Sequence, residues 1–432
     1  MEQAKNTAKE LLGFLENCPS CYHVIGNFEE VLKKEGYTAL PEEQRWDIQP
    51  GGKYYVTRNG SSVIAFRVPQ QVTGGFLMAA AHSDSPTFKI KPGFTRHSGS
   101  YVQLNTERYG GAIHATWFDR PLGVAGRVLM ADVEGRISAQ LVYPDRDLAI
   151  IPSVAPHLNS EANNSFKVNL NVDTFPLLAQ ANDPDALLQQ LLGSGDGGEV
   201  VGHDLYLVCR DRGAEVGTQG QFLCAPRLDD LACAFGCLEG FLQAGANDAI
   251  NVYALFDNEE VGSATRQGAG STLLATVLQR IANGCGCDYA RLLPQSFLVS
   301  ADNAHAIHPN HPEFSDPQNA PKLNGGLVVK FNAAQRYTTD GVSAALFTAL
   351  CAKAGVQTQT YANRSDLPGG TTLGGIATTH APLRAVDIGL PQLAMHSCYE
   401  TMGSADLAEL VTAATALYSH SLITTGDSWM WK

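Results

Sequence analysis

Residues 250–263 have the sequence INVYALFDNEEVGS, in which a strand-like apolar run leads directly into a cluster of acidic residues. The run Ile250–Phe256 is short and mainly apolar, which is typical of a buried strand. From about residue 216 onward, further runs of this kind alternate with helical patterns such as Gly341–Ala352 and Ala405–Leu417. Alternating strands and helices indicate an α/β fold with a mainly parallel sheet that helices cover.

The rest of the chain divides into two stretches with different patterns. Residues 1–89 begin with an amphipathic helix and continue into the strand-like runs Ser62–Val68 and Phe76–Ala81. Residues 90–215 instead contain short runs interrupted by Gly, Pro, Asn and Asp, which predicts mostly β-structure. We therefore expect one α/β domain formed by residues 1–89 and 216–432, interrupted by a β-rich insertion of residues 90–215.

The composition of the 432-residue chain excludes several classes of protein. Apolar residues make up 44% and charged residues 17%, against about 25% charged in an average soluble protein, which excludes a disordered or coiled-coil chain. The net charge of −13 argues against a nucleic-acid or anionic-membrane partner. The longest apolar run, Phe76–Ala81, is far shorter than the ~20 residues of a membrane helix. With no apolar signal-peptide core and ten scattered cysteines, typical of reduced thiols, we expect a soluble cytoplasmic protein.

Potential metal ligands follow four strand-like runs, each at the point where the run ends. These residues are His82 and Asp84 after Phe76–Ala81, Glu259 and Glu260 after Ile250–Phe256, Asp302 after Phe297–Ser300, and His396 after Leu393–Met395. Asp229 and Asp230 stand just ahead of a further predicted helix. In open α/β sheets the ligand site lies beyond the carboxyl ends of the strands, so these side chains are expected to converge.

Each of these groups also has an ordinary structural explanation. A histidine after a strand is often a hydrogen-bonded loop residue. Glu259 and Glu260 could begin a helix, and Asp229 and Asp230 could cap one. The repetition of histidine and carboxylate at successive strand ends favours a shared metal site over these separate explanations.

The types of potential ligand indicate which metal and which reaction the site would suit. Two imidazoles with several carboxylates, and no cysteine indicated as a ligand, suit zinc or a similar divalent ion in a hydrolytic site. A pair of ions needs a ligand that bridges them, and a carboxylate has two oxygens for this purpose. A further carboxylate that is not a ligand must accept the proton of the attacking water and pass it to the leaving amine. The adjacent Glu259 and Glu260 supply one residue for each role.

Several ordered motifs of the chain resemble those of the aspartyl aminopeptidases, a family of dizinc exopeptidases. They are AHSDSP (81–86), YGG…TWFDR (109–120), PRLDDL (226–231), DNEEVGS (257–263), SADNAHAIHPN (300–310), QRY (335–337) and PQLAMHS (391–397). The resemblance covers nearly the whole chain. It implies an α/β catalytic domain interrupted by a β-rich dimerisation domain, two zinc ions per subunit that cobalt or manganese can replace, and a dodecamer built from dimers.

The resemblance also implies a set of metal ligands, carried over residue by residue. Asp229 resembles the ligand that bridges the two ions. His82 and Asp302 resemble the remaining ligands of one ion. Glu260 and His396 resemble those of the other.

Three further positions resemble residues that act beside the ligands. Glu259 resembles the general base. Asp84 resembles the acid that fixes the orientation and basicity of the His82 imidazole. His157, within IPSVAPHL of the insertion, resembles a histidine that reaches the active site of a neighbouring subunit.

One position departs from the pattern of the family. Acid-preferring members carry a lysine immediately before Gln-Arg-Tyr, where it pairs with the acidic side chain of the substrate, and this chain has Ala334 there. Lys330 or Arg336 could supply the charge instead. If the segment is a strand, Lys330 lies on the same face, about 13 Å from Ala334. The sequence leaves both an acidic and a neutral or broad preference open.

The pattern as a whole favours a zinc-dependent aminopeptidase that removes single residues from the N-termini of peptides. Another dizinc hydrolase of the same fold, such as a carboxypeptidase or amide deacylase, is the first alternative. An absolute requirement for a free α-amine would separate the two. A metal-stabilised binding or structural protein is the second alternative, and it predicts a missing base or ligand, whereas the set above is complete.

Overall fold

The computed structural model describes residues 2–180 and 199–432, and its largest sheet has nine strands. These strands are β1 (Thr38–Ala39), β2 (Lys53–Arg58), β3 (Ser62–Arg67), β4 (Phe76–His82), β13 (Ile250–Phe256), β14 (Phe297–Ala301), β16 (Leu327–Phe331), β17 (Thr358–Ala362) and β18 (Arg384–Gly389). Their order in this central sheet is β1-β2-β3-β13-β4-β14-β18-β16-β17. The adjacent strands β13, β4, β14 and β18 run parallel, so their carboxyl ends meet at one edge of the sheet.

Helices cover both faces of the central sheet. The helices of the described residues are α1 (Glu2–Asn17), α2 (Cys21–Lys34), α3 (Leu228–Gln243), α4 (Leu273–Gly284), α5 (Tyr289–Leu292), α6 (Gly341–Ala354), α7 (Leu373–Ala377) and α8 (Asp406–Ser419). Alternate residues of β4 point to opposite faces. Leu77 and Ala79 pack in the core that includes α3 and α8, whereas Phe76 and Met78 pack in the core that includes α4. Because both faces are covered, the central strands are apolar at nearly every position.

A second sheet is formed by a β-rich insertion that follows β4 in the chain. Its strands are β5 (Thr87–Ser98), β6 (Tyr101–Tyr109), β7 (Leu122–Ala131), β8 (Ile137–Val142), β9 (Leu177–Ala179) and β10 (Glu199–Cys209), in the order β8-β7-β10-β5-β6-β9. Neighbouring strands are antiparallel and enclose a separate apolar core. The molecule is thus an α/β protein with an inserted β-rich part, which is the fold class that the sequence predicts.

A third sheet lies beside the carboxyl edge of the central one. It contains β11 (Ala214–Val216), β12 (Phe222–Ala225), β15 (Ala304–His305), β19 (Pro391–Leu393) and β20 (Glu400–Gly403), in the order β11-β12-β20-β19-β15. A separate antiparallel pair, β21 (Leu422–Thr425) and β22 (Ser428–Trp431), ends the chain. Among the residues that the structure describes, no helix is both long enough and apolar enough to cross a bilayer.

The third sheet corrects one expectation from the sequence. The run Leu393–Met395 was expected to be a fourth strand of the same sheet, ending at His396. The strand instead ends at Leu393 and belongs to the third sheet. Ala394 and His396 have φ values of 54° and 68°, and this left-handed backbone cannot continue a strand.

Candidate metal centre

The structure brings the five predicted ligands together at the carboxyl edge of the central sheet. Ligand atoms of His82, Asp229 and Asp302 lie within 4.8 Å of one another, and so do those of Asp229, Glu260 and His396. The residues come from the ends of β4, β13 and β14, from the start of α3, and from the loop after β19. Asp229 belongs to both groups, so it stands between them.

The first two ligands, His82 and Asp302, form an inner group that is enclosed by protein. His82 is 1% exposed and Asp302 is 8% exposed. Nε2 of His82 lies 3.5 Å from Oδ1 of Asp229. Its other ring nitrogen, Nδ1, lies 3.1 Å from the carbonyl oxygen of Asp84 and 3.4 Å from Oδ1 of the same residue. Contacts on both nitrogens fix the ring with Nε2 facing the cluster.

The other two ligands, Glu260 and His396, form an outer group that faces solvent on one side. The His396 side chain is 32% exposed, and its Nε2 lies 3.5 Å from Oδ2 of Asp229 and 3.6 Å from Oε1 of Glu260. Nδ1 of His396 contacts the carbonyl oxygen of Gly111 at 3.2 Å. A Cβ atom at Gly110 would lie 3.1 Å from Cβ of Glu260, and one at Gly111 would lie 3.3 Å from Nδ1 of His396. The backbone of the insertion therefore packs directly against both outer ligands.

Asp84 connects the inner group to the residues that follow β13. Its Oδ1 accepts a hydrogen bond from the backbone N–H of Glu259 at 3.1 Å. Its Oδ2 accepts one from the backbone N–H of Glu260 at 3.2 Å and one from the Tyr109 hydroxyl at 2.8 Å. Tyr109 ends β6 of the insertion, and its oxygen accepts from Nδ2 of Asn258 at 2.9 Å. One buried carboxylate thus positions the His82 ring and the two adjacent glutamates.

Glu259 lies next to the ligands and has a strongly perturbed carboxyl group. One ligand-type atom of Glu259 lies within 4.8 Å of such atoms of His82 and Glu260. Burial raises the pKa of Glu259 to about 8, and the negative charges of Asp302 and Asp84 act in the same direction. A bound cation would lower this pKa again. A carboxyl group that titrates close to neutral pH is suited to accept and release a proton during a reaction.

The chemistry of the cluster fits a divalent metal ion. Oδ1 of Asp229 and Oδ1 of Asp230 are both buried and have no hydrogen-bond partner among the described residues. Burying carboxylate oxygens without a partner is costly unless a cation is bound there. Burial raises the pKa values of Glu260 and Asp302, and the negative charge of Asp229 acts in the same direction, so a nearby cation would stabilise their charged forms. Imidazole and carboxylate donors together are the ligands that zinc takes in hydrolytic sites.

Asp230 is buried beside the cluster, whereas a residue that only caps a helix would lie at the protein surface. It is fully buried, and its Oδ2 accepts a hydrogen bond from the backbone N–H of His82 at 3.3 Å. One of its oxygens lies within 4.8 Å of ligand atoms of His82, Asp229 and Asp302. Asp230 therefore helps to position the end of β4.

The structure changes the interpretation of Lys330. The strand β16 ends at Phe331, and Ala334 lies in an exposed turn, so Lys330 and Ala334 do not share a strand face. Lys330 is 2% exposed. Its Nζ donates to the carbonyl oxygens of Asp302 at 2.7 Å and Asn303 at 3.3 Å, and lies 3.6 Å from Oδ2 of Asp302. The positive charge of Lys330 therefore lies beside the carboxylate of Asp302, a predicted ligand. In the sequence, a lysine inside the apolar run LVVKF indicates such a buried, paired charge.

Two residues near the cluster were not identified from the sequence. Tyr109 belongs to the motif YGG…TWFDR, but its hydrogen bond to Asp84 does not follow from the sequence. Glu400 is 1% exposed, and its carboxylate accepts hydrogen bonds from the backbone N–H groups of Asp229 at 3.0 Å and His396 at 2.7 Å. The contacts of Tyr109 with Asp84 and of Glu400 with Asp229 join segments that are distant in sequence, whereas Glu400 and His396 are four residues apart.

His157 is the one predicted site residue that lies apart from the cluster. It is exposed, within a turn of the insertion. No group of possible ligands found among the described residues includes it. Its predicted role in the site of a neighbouring subunit is not tested by the geometry of one chain.

Comparisons with known proteins agree with this geometry. A family model described as aminopeptidase I zinc metalloprotease (M18) matches residues 14–418. A probable M18 family aminopeptidase 2 of Clostridium novyi (strain NT) is 44% identical over 412 residues, which are 92% of this chain and 95% of that protein. The protein of the same description from Pseudomonas entomophila (strain L48) is 39% identical over 418 residues, covering 94% of this chain and 97% of its own.

Solved structures show the same fold. The chain in a cryo-EM structure of the Ape4 and Nbr1 complex superposes with a TM-score of 0.92 at 35% identity, over 96% of this chain and 86% of that one. A structure described as the mApe1 dodecamer of S. cerevisiae superposes with a TM-score of 0.84 at 28% identity, over 95% and 96% of the two chains.

Proposed function

Because this chain belongs to the M18 family of zinc metalloproteases, which are aminopeptidases, we propose that it releases single N-terminal residues from peptides with two divalent ions. The observation that carries the two-ion proposal is the geometry of Asp229. Its Oδ1 faces His82 and its Oδ2 faces His396, each at 3.5 Å from Nε2 of the histidine. One carboxylate directed at two separate imidazoles is the arrangement that a bridging ligand requires.

The proposed ligand sets follow from the two groups. His82, Asp302 and Asp229 would hold one zinc ion, and Glu260, His396 and Asp229 would hold the other, with cobalt or manganese as possible substitutes. When bound, such ions lower the pKa of a coordinated water and polarise a carbonyl group.

The remaining steps belong to side chains that are not ligands. We assign Glu259 as the general base, because one of its carboxylate oxygens lies within 4.8 Å of ligand atoms of both His82 and Glu260 while the two proposed ligand sets are complete without it. It would accept the proton of the attacking water and donate it to the leaving amine. Asp84 would keep the His82 ring in place and would orient Glu259 through its backbone N–H.

The preferred N-terminal residue is inferred from three positions near the turn that follows β16. Ala334 carries no charge, and the buried Lys330 is engaged with Asp302. The exposed Arg336 donates to the carbonyl oxygen of Gly369 at 3.2 Å. Ala334 and Lys330 therefore offer no free cation for an acidic side chain, and Arg336 is held toward a backbone carbonyl, so we propose a neutral or broad preference over an acidic one.

We propose that copies of the molecule associate through the insertion, since a related protein, mApe1 of S. cerevisiae, is described as a dodecamer. Large apolar side chains are exposed on the insertion, among them Val133, Ile137, Leu141, Val154 and Leu158. The strand β8 is at the edge of its sheet and is exposed at every residue except Val142. Such a surface suits pairing with a second copy.

On this proposal residues 90–215 form the dimerisation domain, and residues 1–89 and 216–432 form the catalytic domain. Dimers would build the dodecamer, and His157 would reach a neighbouring active site. The cytoplasm remains the predicted location.

The proposed reaction is tested with matched anilide substrates. We expect turnover of leucine, alanine and aspartate anilides with zinc, cobalt or manganese, and none when the α-amine is acetylated. Equal turnover of the acetylated substrates would favour the amide deacylase instead. Elemental analysis of the active protein should give two ions per subunit, and a single ion with full activity would contradict the bridging role of Asp229.

A further inference from the structure

Glu400 lies at the point where the two ligand-bearing segments of the third sheet meet. It is the first residue of β20, which lies between β12 and β19 in that sheet. Ala225 of β12 is its neighbour on one side, and four residues later that segment reaches Asp229. On the other side β19 ends at Leu393, three residues before His396. The strand order therefore places Glu400 between the bridging ligand and the outer histidine.

The carboxylate of Glu400 makes one hydrogen bond to each of these two residues. Oε2 accepts from the backbone N–H of Asp229 at 3.0 Å, and Oε1 accepts from the backbone N–H of His396 at 2.7 Å. We propose that Glu400 is a positioning residue that sets the spacing between Asp229 and His396 and thereby forms the outer metal site. This inference rests on the proposed two-ion function.

The two partners of Glu400 differ in what else restrains them. Asp229 is also fixed by its carbonyl oxygen, which accepts from the Ser85 hydroxyl at 2.9 Å, and by its contact with His82. His396 lies on a loop with a left-handed backbone, and the insertion contacts its ring and its carbonyl oxygen. Asp229 is 2% exposed at the start of α3, whereas the His396 side chain is 32% exposed, so loss of the Glu400 contact should displace His396 more than Asp229 and affect the outer ion first.

A carboxylate is the side chain that suits this position chemically. Both of its oxygens accept hydrogen bonds, whereas an amide has one acceptor oxygen and an NH₂ group that can only donate. In Glu400→Gln one of the two backbone N–H groups would face that NH₂ group. We expect a loss of affinity for the outer ion of roughly 10–100-fold, the usual effect of removing a residue that orients a metal ligand.

The chain offers a matched control at Asp406. This residue is also 1% exposed, and its two oxygens accept hydrogen bonds from the backbone N–H groups of Asn324 at 2.7 Å and Gly326 at 2.9 Å. Asp406→Asn makes the same chemical change in a buried carboxylate that contacts none of the proposed ligands. It should lower the thermal midpoint and leave both metal affinities unchanged.

The experiment is a zinc titration of the metal-depleted protein against a competing chelator, with elemental analysis of each loaded form. Wild type should bind two ions, which tests the proposed function independently of Glu400. Glu400→Gln should retain one ion with wild-type affinity and lose affinity for the other. Its kcat/KM should recover when zinc is raised. Glu400→Asp, a shorter carboxylate, should show the same selective loss and replaces the Gln variant if that protein does not fold.

Two results would overturn the inference. One is wild-type affinity for both ions in Glu400→Gln and Glu400→Asp, which would leave Glu400 a merely structural residue. The other is an equal loss of both ions together with a thermal midpoint as low as that of Asp406→Asn, which would indicate general destabilisation. A wild type that binds one ion would refute the two-ion proposal instead.

Discussion

The inner and outer groups of the candidate metal centre contain the same kinds of predicted ligand but are built in different ways. His82 ends β4 and Asp302 follows the adjacent parallel strand β14, and both residues are buried. Glu260 and His396 come from a short turn after β13 and from the loop between β19 and β20 of the third sheet, and backbone of the insertion packs on both. One sheet thus determines the inner group, whereas the outer group depends on three separate parts of the chain.

The largest expected effect is on a residue that belongs to neither group. Glu259→Gln removes the proton acceptor without removing a ligand, so turnover should fall by roughly 10²–10⁴-fold. Metal content, measured by elemental analysis, should stay at the wild-type value because both groups are intact. Near-normal activity in a fully loaded variant would show that the base is another residue.

The difference between the inner and outer groups is tested by replacing one histidine in each with alanine. His82→Ala removes the imidazole that contacts the buried Asp84 and Asp229, so the variant should lose the inner ion and about 1–3 kcal/mol of stability. His396→Ala removes a half-exposed ring, so it should lose one ion with little change in stability. Chelator titration and thermal unfolding of the metal-free proteins measure the two quantities. Equal destabilisation by both changes would remove the distinction between the groups.

The dependence of the outer group on the insertion can be tested at one glycine. Gly110 has a φ of 73°, and an added Cβ would lie 3.1 Å from Cβ of Glu260. Gly110→Ala should therefore displace Glu260 and weaken the outer ion by up to about tenfold, as expected for a disturbed ligand support. Gly99→Ala is the control, because Gly99 has a φ of 61° with nothing within 4 Å of the added Cβ. If both variants bind the outer ion equally well, the contact with the insertion has no effect on the site.

The smallest expected effect concerns substrate preference. Ala334 lies in an exposed turn, where solvent screens an added charge, and an exposed ion pair contributes about 0.2–1 kcal/mol. Ala334→Lys should therefore raise kcat/KM for an aspartate anilide relative to a leucine anilide by a few-fold. The adjacent, equally exposed Ala333→Lys serves as the control. A wild type that already prefers aspartate strongly, and that loses this preference in Arg336→Ala, would place the determinant at Arg336.

Much of the fold, and the approach of the predicted ligands at one edge of the sheet, could be predicted from the sequence because they depend on local features. The run Ile250–Phe256 is a strand with the predicted limits, and the predicted helix Gly341–Ala352 extends to Ala354. Apolar content and periodicity determine such elements, since a strand covered on both faces must be apolar throughout. Side chains that follow adjacent parallel strands must then meet, as His82 and Asp302 do.

Only the tertiary structure decided how the rest of the site is completed. His396 lies in the loop between two strands of a different sheet, and Lys330 and Glu400 contact Asp302 and Asp229, which are distant from them in sequence. Gly110 and Gly111 bring the insertion onto the outer group. These contacts depend on sheet order and on how loops from separate sheets pack, and no local pattern of residues specifies either. The sequence by itself determined which residue types stand at the strand ends, whereas packing between distant segments decided which neighbours orient them.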